Sequence, residues 1–334
     1  MTEAPGWTLL PDLACRSVGG GVVWANDESF AERENLVERA EPGYRPHTFG
    51  NKGQVYDGWE TRRRREPGAD HAVVRLGLPG VVRGVVVDTA FFKGNYPPFA
   101  SVEATAVRGH PAPSELTDWE TLVPRSPLEG DRKHHFDVAD GRRWTHVRLT
   151  IHPDGGVARL RVHGEPVVDP DLVTPGALDL AALENGASVT ACSNMFYGSP
   201  GNLIAPGQAR VMGEGWETAR RRDDGNDWVE IALAAPGVVH LAELDTTHFK
   251  GNAPGWASVR GGRGDGEWFD LLPRTRLQPD TRHRFRVERG GEVTRARLDI
   301  YPDGGMARLR LIGSLTPAGL DALTKRYQSV TQTM

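Results

Sequence analysis

Short runs of alternating apolar and polar residues, broken by glycine and proline, make up much of this 334-residue chain. In residues 144–151 the apolar side chains stand at positions 147, 149 and 151, with polar ones between them. The alternation returns in residues 157–163, where Arg159 and Arg161 are expected to point outward. A period of two is typical of β-strands, and the intervening Pro-Asp-Gly-Gly is typical of a tight turn. The pattern predicts a β-hairpin.

The middle of the chain adds longer strand candidates. Residues 72–78 alternate loosely and are followed by Pro79-Gly80, where a turn is expected. Residues 81–88 are rich in valine and read as a strand buried on both faces. Strands of four to eight residues between Gly/Pro turns predict an all-β fold of antiparallel β-sandwich type.

The stretch Asp88–Val102 occurs twice in the chain, in two similar copies. It returns without a gap as Asp245–Val259, 157 positions later, and 24 of 46 aligned residues are identical when the comparison is extended back to position 57. Such self-similarity indicates an internal duplication. The first copy has ten extra residues, in the loop around Glu41 to Lys52. The chain is therefore predicted to hold two sandwich domains in tandem.

The domain boundaries follow from the repeat. We expect a first repeat over residues 1–165, a Pro- and Asp-rich linker over 166–176, a second repeat over 177–313 and a helical tail over 314–334. Helices are expected after Thr174-Pro175 and after Thr316-Pro317, because threonine caps helices and proline suits their first position.

Composition narrows the class of protein. The net charge is −4, so no polyanion-binding surface is implied and nucleic acid is not an expected partner. No apolar run is long enough to cross a bilayer, and no secretory signal is recognised, so a soluble, cytoplasmic protein is expected. The two cysteines, Cys15 and Cys192, fall in different repeats and are not expected to pair.

Two polar motifs recur beyond what a sandwich core requires. The first places Glu60 beside a run that includes Arg63 and Arg64, and the second copy places Glu217 beside Arg221. Arginine is suited to hold a carboxylate by two parallel hydrogen bonds. The alternatives are a self-neutralising edge strand and, much less favoured, a nucleic-acid patch.

The second motif is Lys-Gly-Asn, which follows the valine-rich strand. It supplies Lys93 and Asn95 in the first copy, and Lys250 and Asn252 in the second. Glycine permits close approach of a ligand, lysine offers a charge, and asparagine both donates and accepts. Turn chemistry explains the same residues equally well.

Acids and histidines near these motifs are further candidates. Asp88 and Asp245 end the buried strands, where they cap a turn or act as a base. His248 stands where the first copy has phenylalanine, and His283 aligns with a histidine of the first copy. A structural role is the commoner one for a lone histidine. No zinc-binding spacing, nucleophile elbow or phosphate loop occurs.

The order of these motifs resembles the allantoicase (allantoate amidinohydrolase) family over nearly the whole chain, from Asp12 to about Gly313. The most specific pieces are DGWETRRRR (57–65), FFKGNYPP (91–98), EGWETARRR (214–222) and YPDGGMARLR (301–310). The resemblance implies a cytoplasmic hydrolase acting on C–N bonds in linear amidines, which splits allantoate into ureidoglycolate and urea in purine catabolism. It also implies two jelly-roll, galactose-binding-like sandwiches per chain and a homo-oligomer.

Allantoate carries one carboxylate and two ureido groups on one carbon. Its hydrolysis therefore requires a side chain that binds the carboxylate, a general acid and a base. The candidates for acid and base are Glu60, Glu217, Asp88, Asp245, His248 and His283. The candidates for binding are Arg63, Arg64, Arg221, Lys93, Asn95, Lys250 and Asn252. No cofactor is certain; a divalent metal such as Mn²⁺ is open, with no ligands assigned.

A rival from another class is a non-catalytic tandem module that binds carbohydrate or another small ligand, since sandwiches of this shape bind sugars through their loops. A degenerate, inactive relative is a third reading. Release of urea from allantoate separates them.

Overall fold

The computed structural model describes residues 4–173, 176–288 and 290–331. Contacts divide the chain into two compact units. The first holds residues 4–167 with the last described residues, 330–331, and the second holds residues 168–329. The division falls inside the expected linker.

The first unit is built from antiparallel strands and short 3₁₀ turns. The strands are β1 (Gly21–Ala25), β2 (Phe49–Gly50), β3 (Gly53–Gln54), β4 (Trp59–Glu60), β5 (Asp70–Asp88), β6 (Phe99–Thr105), β7 (Glu120–Pro127), β8 (Lys133–Asp137), β9 (Arg143–His152), β10 (Gly156–Val157) and β11 (Arg159–Pro166). The 3₁₀ turns are Gly6–Leu9, Arg16–Val18, Arg33–Val37 and Pro113–Glu115.

The two layers of the sandwich share strand β5. Its first half pairs with β1 and β9, whereas its second half pairs with β8 and β11. Apolar side chains from both halves, such as Val74 and Val85, are completely buried, as are Leu149 and Leu160 on the other strands. The core therefore lies between the layers, as alternation along the strands requires.

The expected turn at Pro79-Gly80 is wrong, because the chain does not reverse there. The pairing register shifts between Arg75 and Gly80, and β5 continues into the other layer. The Pro79 carbonyl accepts a hydrogen bond from the Val167 amide at 2.9 Å. A β-carbon on Gly80 would stand 2.1 Å from the Glu165 carbonyl oxygen, so the crossing strands approach closer than any side chain allows.

The second unit repeats this plan. Its strands are β12 (Leu178–Asp179), β13 (Ser188–Cys192), β14 (Trp216–Glu217), β15 (Asp227–Asp245), β16 (Trp256–Gly262), β17 (Phe269–Arg276), β18 (Arg282–Arg286), β19 (Glu292–Tyr301), β20 (Gly305–Met306) and β21 (Arg308–Leu315). The 3₁₀ turns are Pro170–Leu172, Leu183–Asn185, Pro200–Ile204 and Met212–Glu214. Strand β15 crosses between layers at Pro236-Gly237 as β5 does. The expected tandem of antiparallel β-sandwiches is confirmed.

Two polar side chains of the alternating strands are buried, including Arg159, which was expected to point outward. Arg159 is 2% exposed, because its guanidinium binds the Ala40 carbonyl (3.0 Å) and pairs with the Asp57 carboxylate (2.8 Å). His146 is 5% exposed, and its Nδ1 lies 2.9 Å from the Thr145 hydroxyl. Alternation identified the strands here, but loops packed over the outer face decide which polar residues are covered.

An α-helix, α1 (Pro317–Thr331), follows the second sandwich. The Thr316 hydroxyl accepts a hydrogen bond from the Gly319 amide at 3.2 Å and so caps it. Thr174 and Pro175 lie outside the described residues, and the residues just after them form strand β12 rather than a helix. Within the described ranges, helices long and apolar enough to cross a membrane are absent.

Candidate active site

A buried tryptophan fixes the position of Glu60. Trp59 is completely buried, and its indole N–H donates to the Asp27 carbonyl at 2.7 Å. On the other side of Glu60, Thr61 is also buried, and its amide donates to the Gly155 carbonyl. Glu60 is therefore held between two anchors on a short strand and remains partly exposed.

The arginines after this strand have different roles. Arg64 forms an ion pair with the buried Asp70 carboxylate at 2.6 Å. Arg221 pairs in the same way with Asp227 at 2.9 Å. A buried carboxylate needs such a partner, so both arginines hold their sandwiches together. Arg63 is exposed and has no hydrogen-bond or ion-pair partner among the described residues.

The Lys-Gly-Asn turn brings Asn95 against Glu60. The Phe92 ring is buried beneath the turn, and the Asn95 carbonyl accepts a hydrogen bond from the Gly156 amide at 2.8 Å. The Asn95 side-chain Nδ2 donates to Glu60 Oε1 at 2.7 Å. Burial raises the pKa of the Glu60 carboxyl, and the hydrogen bond from Asn95 offsets part of that rise.

Glu60, Asn95 and Arg63 line a cleft of about 490 Å³. The other residues that line it are Phe30, Lys52, Gly53, Gln54, Tyr56 and Gly94. A cavity of this size with one carboxyl, two amides and a cation that lacks a partner among the described residues is suited to a small anion.

The ten-residue insertion of the first repeat forms one wall of this cleft. Residues 41–56 run between Ala40 and Asp57, both of which are held by Arg159. In the second unit the six residues 208–213 connect the corresponding anchors, which are held by Arg308. The longer segment contains the hairpin of β2 and β3, and this hairpin supplies lysine and glutamine to the cleft.

Stacked aromatic rings attach the insertion to the Lys-Gly-Asn turn. Tyr44 stacks on Phe91 at 5.6 Å between ring centroids, and Tyr56 stacks on Phe92 at 5.0 Å. Gln54 Nε2 donates to the Tyr44 hydroxyl at 2.8 Å. Burial, then the nearby Glu60 carboxyl, raises the pKa of Tyr56. The insertion thus covers Glu60 with an aromatic side chain.

An ion pair also holds the hairpin in place. Lys52 Nζ lies 2.7 Å from the Glu32 carboxylate and 3.1 Å from the Glu28 carbonyl. Because these contacts largely satisfy the ammonium group, Arg63 is the cation of the cleft most available to a ligand.

The second unit keeps the polar pair without the insertion. Asn252 Nδ2 donates to Glu217 Oε1 at 2.6 Å. His248, at the position of the stacked Phe91, places Nε2 3.0 Å from the Ala209 carbonyl. Phe91 and His248 differ because the neighbouring loops differ. In the first unit the Phe91 ring stacks against the insertion, and in the second the His248 imidazole binds the short connection.

The two aspartates that end the long strands close turns. The Asp88 carboxylate accepts a hydrogen bond from the Ala90 amide at 2.8 Å, and Asp245 accepts one from the Thr247 amide at 2.8 Å. Burial raises the pKa of the Asp88 carboxyl. Neither lines the cleft.

The remaining candidates also lie outside the cleft. His283 has Nδ1 3.1 Å from the Leu244 carbonyl, while its Nε2 accepts from the Gln278 amide, so both ring nitrogens bind backbone. Lys93 and Lys250 are 76% and 79% exposed. Of the sequence candidates, the structure brings together Glu60, Asn95 and Arg63 in one unit, and Glu217 and Asn252 in the other.

Comparisons with known proteins find matches both to each repeat and to nearly the whole chain. The sequence model of the allantoicase repeat matches residues 11–167 and again 178–316. The chain belongs to the allantoicase family. It is 60% identical to a probable allantoicase of Nocardia farcinica over 315 residues, covering 93% of this chain and 96% of that one. A probable allantoicase of Streptomyces avermitilis is 52% identical over 340 residues, covering 97% and 90%.

The fold agrees with a solved member of the allantoicase family. The crystal structure of the Saccharomyces cerevisiae allantoicase matches with a TM-score of 0.79 and 34% sequence identity, over 91% of this chain and 92% of that one.

Residues of the insertion are what sequence reasoning missed in this allantoicase-family chain. Lys52, Gln54 and Tyr56 line the cleft, as does Phe30 from an earlier loop. The available signal was the ten-residue length difference between repeats, since an insertion in one copy of a duplicated chain marks where the copies differ in use.

The donor set of the cleft favours an anion over a divalent cation. Its single carboxylate, Glu60, lies beside the cationic Arg63 and Lys52. Divalent ions such as Mn²⁺ require several oxygen or nitrogen ligands. Within residues 4–173, 176–288 and 290–331, groups of three or more His, Cys, Asp or Glu placed to hold a metal are absent.

Proposed function

We propose that this protein hydrolyses allantoate to ureidoglycolate and urea, and that the reaction takes place in the cleft of the first unit. The observation that carries the assignment to this cleft is the Glu60–Asn95 hydrogen bond beside Arg63, under the cover of the insertion. Membership of the allantoicase family supports the choice of substrate.

Arg63 binds the substrate carboxylate in this proposal. The guanidinium presents two parallel N–H groups that match the two oxygens of a carboxylate. The side-chain oxygen of Asn95 accepts no hydrogen bond from the described residues, so it is available to a ureido N–H. These two contacts place the central carbon of allantoate between Arg63 and Glu60.

Glu60 acts as the general acid and then as the base. Its raised pKa favours the protonated form, which donates a proton to the departing ureido nitrogen. The carbon–nitrogen bond breaks as the lone pair of the other ureido nitrogen forms a double bond to the central carbon. The Glu60 carboxylate then takes a proton from water as the hydroxyl adds to that carbon. Urea and ureidoglycolate leave, and Glu60 is protonated again.

We further propose that the protein acts in the cytoplasm as a homo-oligomer, and that these side chains carry the reaction.

The contribution of Mn²⁺ to the rate of urea release is tested by assaying the protein after treatment with a chelator and again after adding Mn²⁺. Equal rates in both samples are expected.

The deciding experiment is release of urea from allantoate by the purified full chain. Stoichiometric urea and ureidoglycolate are expected. Absence of urea from a folded preparation that binds simple sugars would instead support a carbohydrate-binding module.

A further inference from the structure

The second unit contains a polar set that the proposed reaction does not use. The Glu217 carboxylate accepts the 2.6 Å hydrogen bond from Asn252 through one oxygen. Its other oxygen, like the side-chain oxygen of Asn252, has no hydrogen bond from the part of the chain that the structure describes. Two acceptors therefore stand side by side at the end of β14.

Arg220 follows Glu217 by three residues, as Arg63 follows Glu60 in the first unit. The residues on either side of it are fixed, because the Ala219 amide donates to the Asn194 side chain (3.0 Å) and the Arg221 amide donates to Asp303 (2.8 Å). In the first unit the residues on either side of Arg63 are fixed by equivalent bonds of 3.0 and 2.8 Å, and Arg63 lines the cleft. Arg220 is exposed and has no partner within the described ranges.

Exposed apolar side chains flank the set. Met212 lies with its sulfur 3.4 Å from Asn252 Nδ2. Tyr197 is 67% exposed, and its amide donates to the Glu217 carbonyl at 3.1 Å. Phe196 is 72% exposed and packs edge-on against Tyr197 at 4.7 Å. Exposed aromatic and methionine side chains beside convergent polar groups are typical of ligand sites.

We propose that the second unit has a ligand site of its own, at which Arg220, Glu217 and Asn252 bind a small carboxylate that bears a ureido or amide group, without hydrolysing it. The guanidinium pairs with the carboxylate, and the two acceptors receive the N–H groups of the ligand. The apolar flank shields these bonds from water on one side. This ligand class rests on the proposed function.

Binding without hydrolysis follows from the missing insertion. Residues 208–213 are too short to contain counterparts of Lys52, Gln54 and Tyr56, which line the first cleft. Glu217 therefore lacks the cover that the insertion gives Glu60.

Calorimetric titration of the full chain with N-carbamoylglycine tests the proposal. This compound has one carboxylate and one ureido group on the same carbon, and it lacks the second ureido group that would leave as urea. Two sites per chain are expected. Arg220→Met and Asn252→Asp are each expected to remove one site, and Arg63→Met to remove the other. Arg65→Met and Arg222→Met lower the charge equally beside each motif and are expected to retain two sites.

One site per chain that Arg220→Met leaves intact would overturn the proposal. So would two sites in Arg220→Met together with a change in sedimentation coefficient, because the exposed patch would then join copies of the chain. Urea release by the same preparation keeps this result separate from the proposed function: a preparation that releases urea but binds at one site contradicts the second site alone.

Discussion

The two units place the same polar pair in different surroundings. The asparagine–glutamate hydrogen bond is 2.7 Å long in the first unit and 2.6 Å in the second. In the first, a sixteen-residue segment with stacked tyrosines covers the glutamate; in the second, six residues complete the connection and leave methionine and aromatic side chains exposed. The repeated scaffold therefore sets the position of the polar groups, and one loop sets their environment.

The largest difference between the units is expected from removing the acid. Glu60→Gln keeps the shape and the bond from Asn95 but cannot donate and regain a proton. The value of kcat for urea release is expected to fall about 10²- to 10⁴-fold, the usual contribution of a general acid or base. The effect of Glu217→Gln is expected to be at least about 30-fold smaller. Comparable losses in both variants would place chemistry in both units.

The second largest difference between the two units is expected in the pH dependence of their unfolding. Burial, then the nearby Arg75 and His110, lowers the pKa of His146 to about 4. A histidine whose folded pKa is depressed contributes stability above its unfolded pKa, near 6.5, and that stability is lost as pH falls toward 4. At about 1.4 kcal/mol per pKa unit, the loss approaches about 3 kcal/mol for the first unit.

Urea denaturation of the full chain between pH 7 and pH 4 measures this loss. At the matching position the second unit has Arg295 rather than a histidine, and its guanidinium lies 4.2 Å from the Trp268 ring centroid. His146→Gln is expected to flatten the acid dependence of the first unit. An unchanged slope in that variant would assign the acid sensitivity to other groups.

A smaller effect is expected from loosening the insertion. Tyr44→Ala removes the stack on Phe91 and the acceptor for Gln54, and stacked aromatic pairs contribute about 0.5–1.5 kcal/mol. The value of kcat/KM for urea release is expected to fall about 3- to 10-fold with little change in Tm. Phe49→Ala is the matched control, because Phe49 lies in the same segment, residues 41–56, and is 69% exposed. Equal losses in both variants would show that Tyr44 does not position the cleft.

The smallest effects are expected from the two lysines of the repeated turns. Lys93 Nζ lies 3.7 Å from Asp131 and Lys250 Nζ 3.9 Å from Asp280, and both lysines are exposed. Exposed pairs of this kind contribute about 0–1 kcal/mol. Alanine at either position is expected to change urea release less than about twofold. A tenfold loss for Lys93→Ala alone would bring that side chain into the first site.

Sequence reasoning located the polar pair but could not sort the arginines. Repetition of Trp-Glu-Thr and Lys-Gly-Asn pointed to Glu60 and Asn95, because a motif retained in both copies reflects a shared geometry. The motif predicts Arg63 and Arg64 alike as binding residues, yet in the folded chain Arg64 pairs with the buried Asp70. Alternation identified the strands, but the bend of β5 depends on backbone contacts between layers. The wall of the cleft comes from a segment with neither periodicity nor a second copy.

A glycine far along the chain extends the set of positions on which the proposed catalysis depends, and its counterpart supports the same turn in the second unit. A β-carbon on Gly156 would stand 2.0 Å from the Phe92 ring, and one on Gly305 would stand 2.0 Å from the Phe249 ring. The amides of these glycines hold the carbonyls of Asn95 and Asn252. Alanine at Gly156 would displace the ring, tilt the turn and move the amide of Asn95 away from Glu60. A search for inactivating substitutions should therefore recover a residue that touches no substrate and lies some sixty positions beyond the turn it supports.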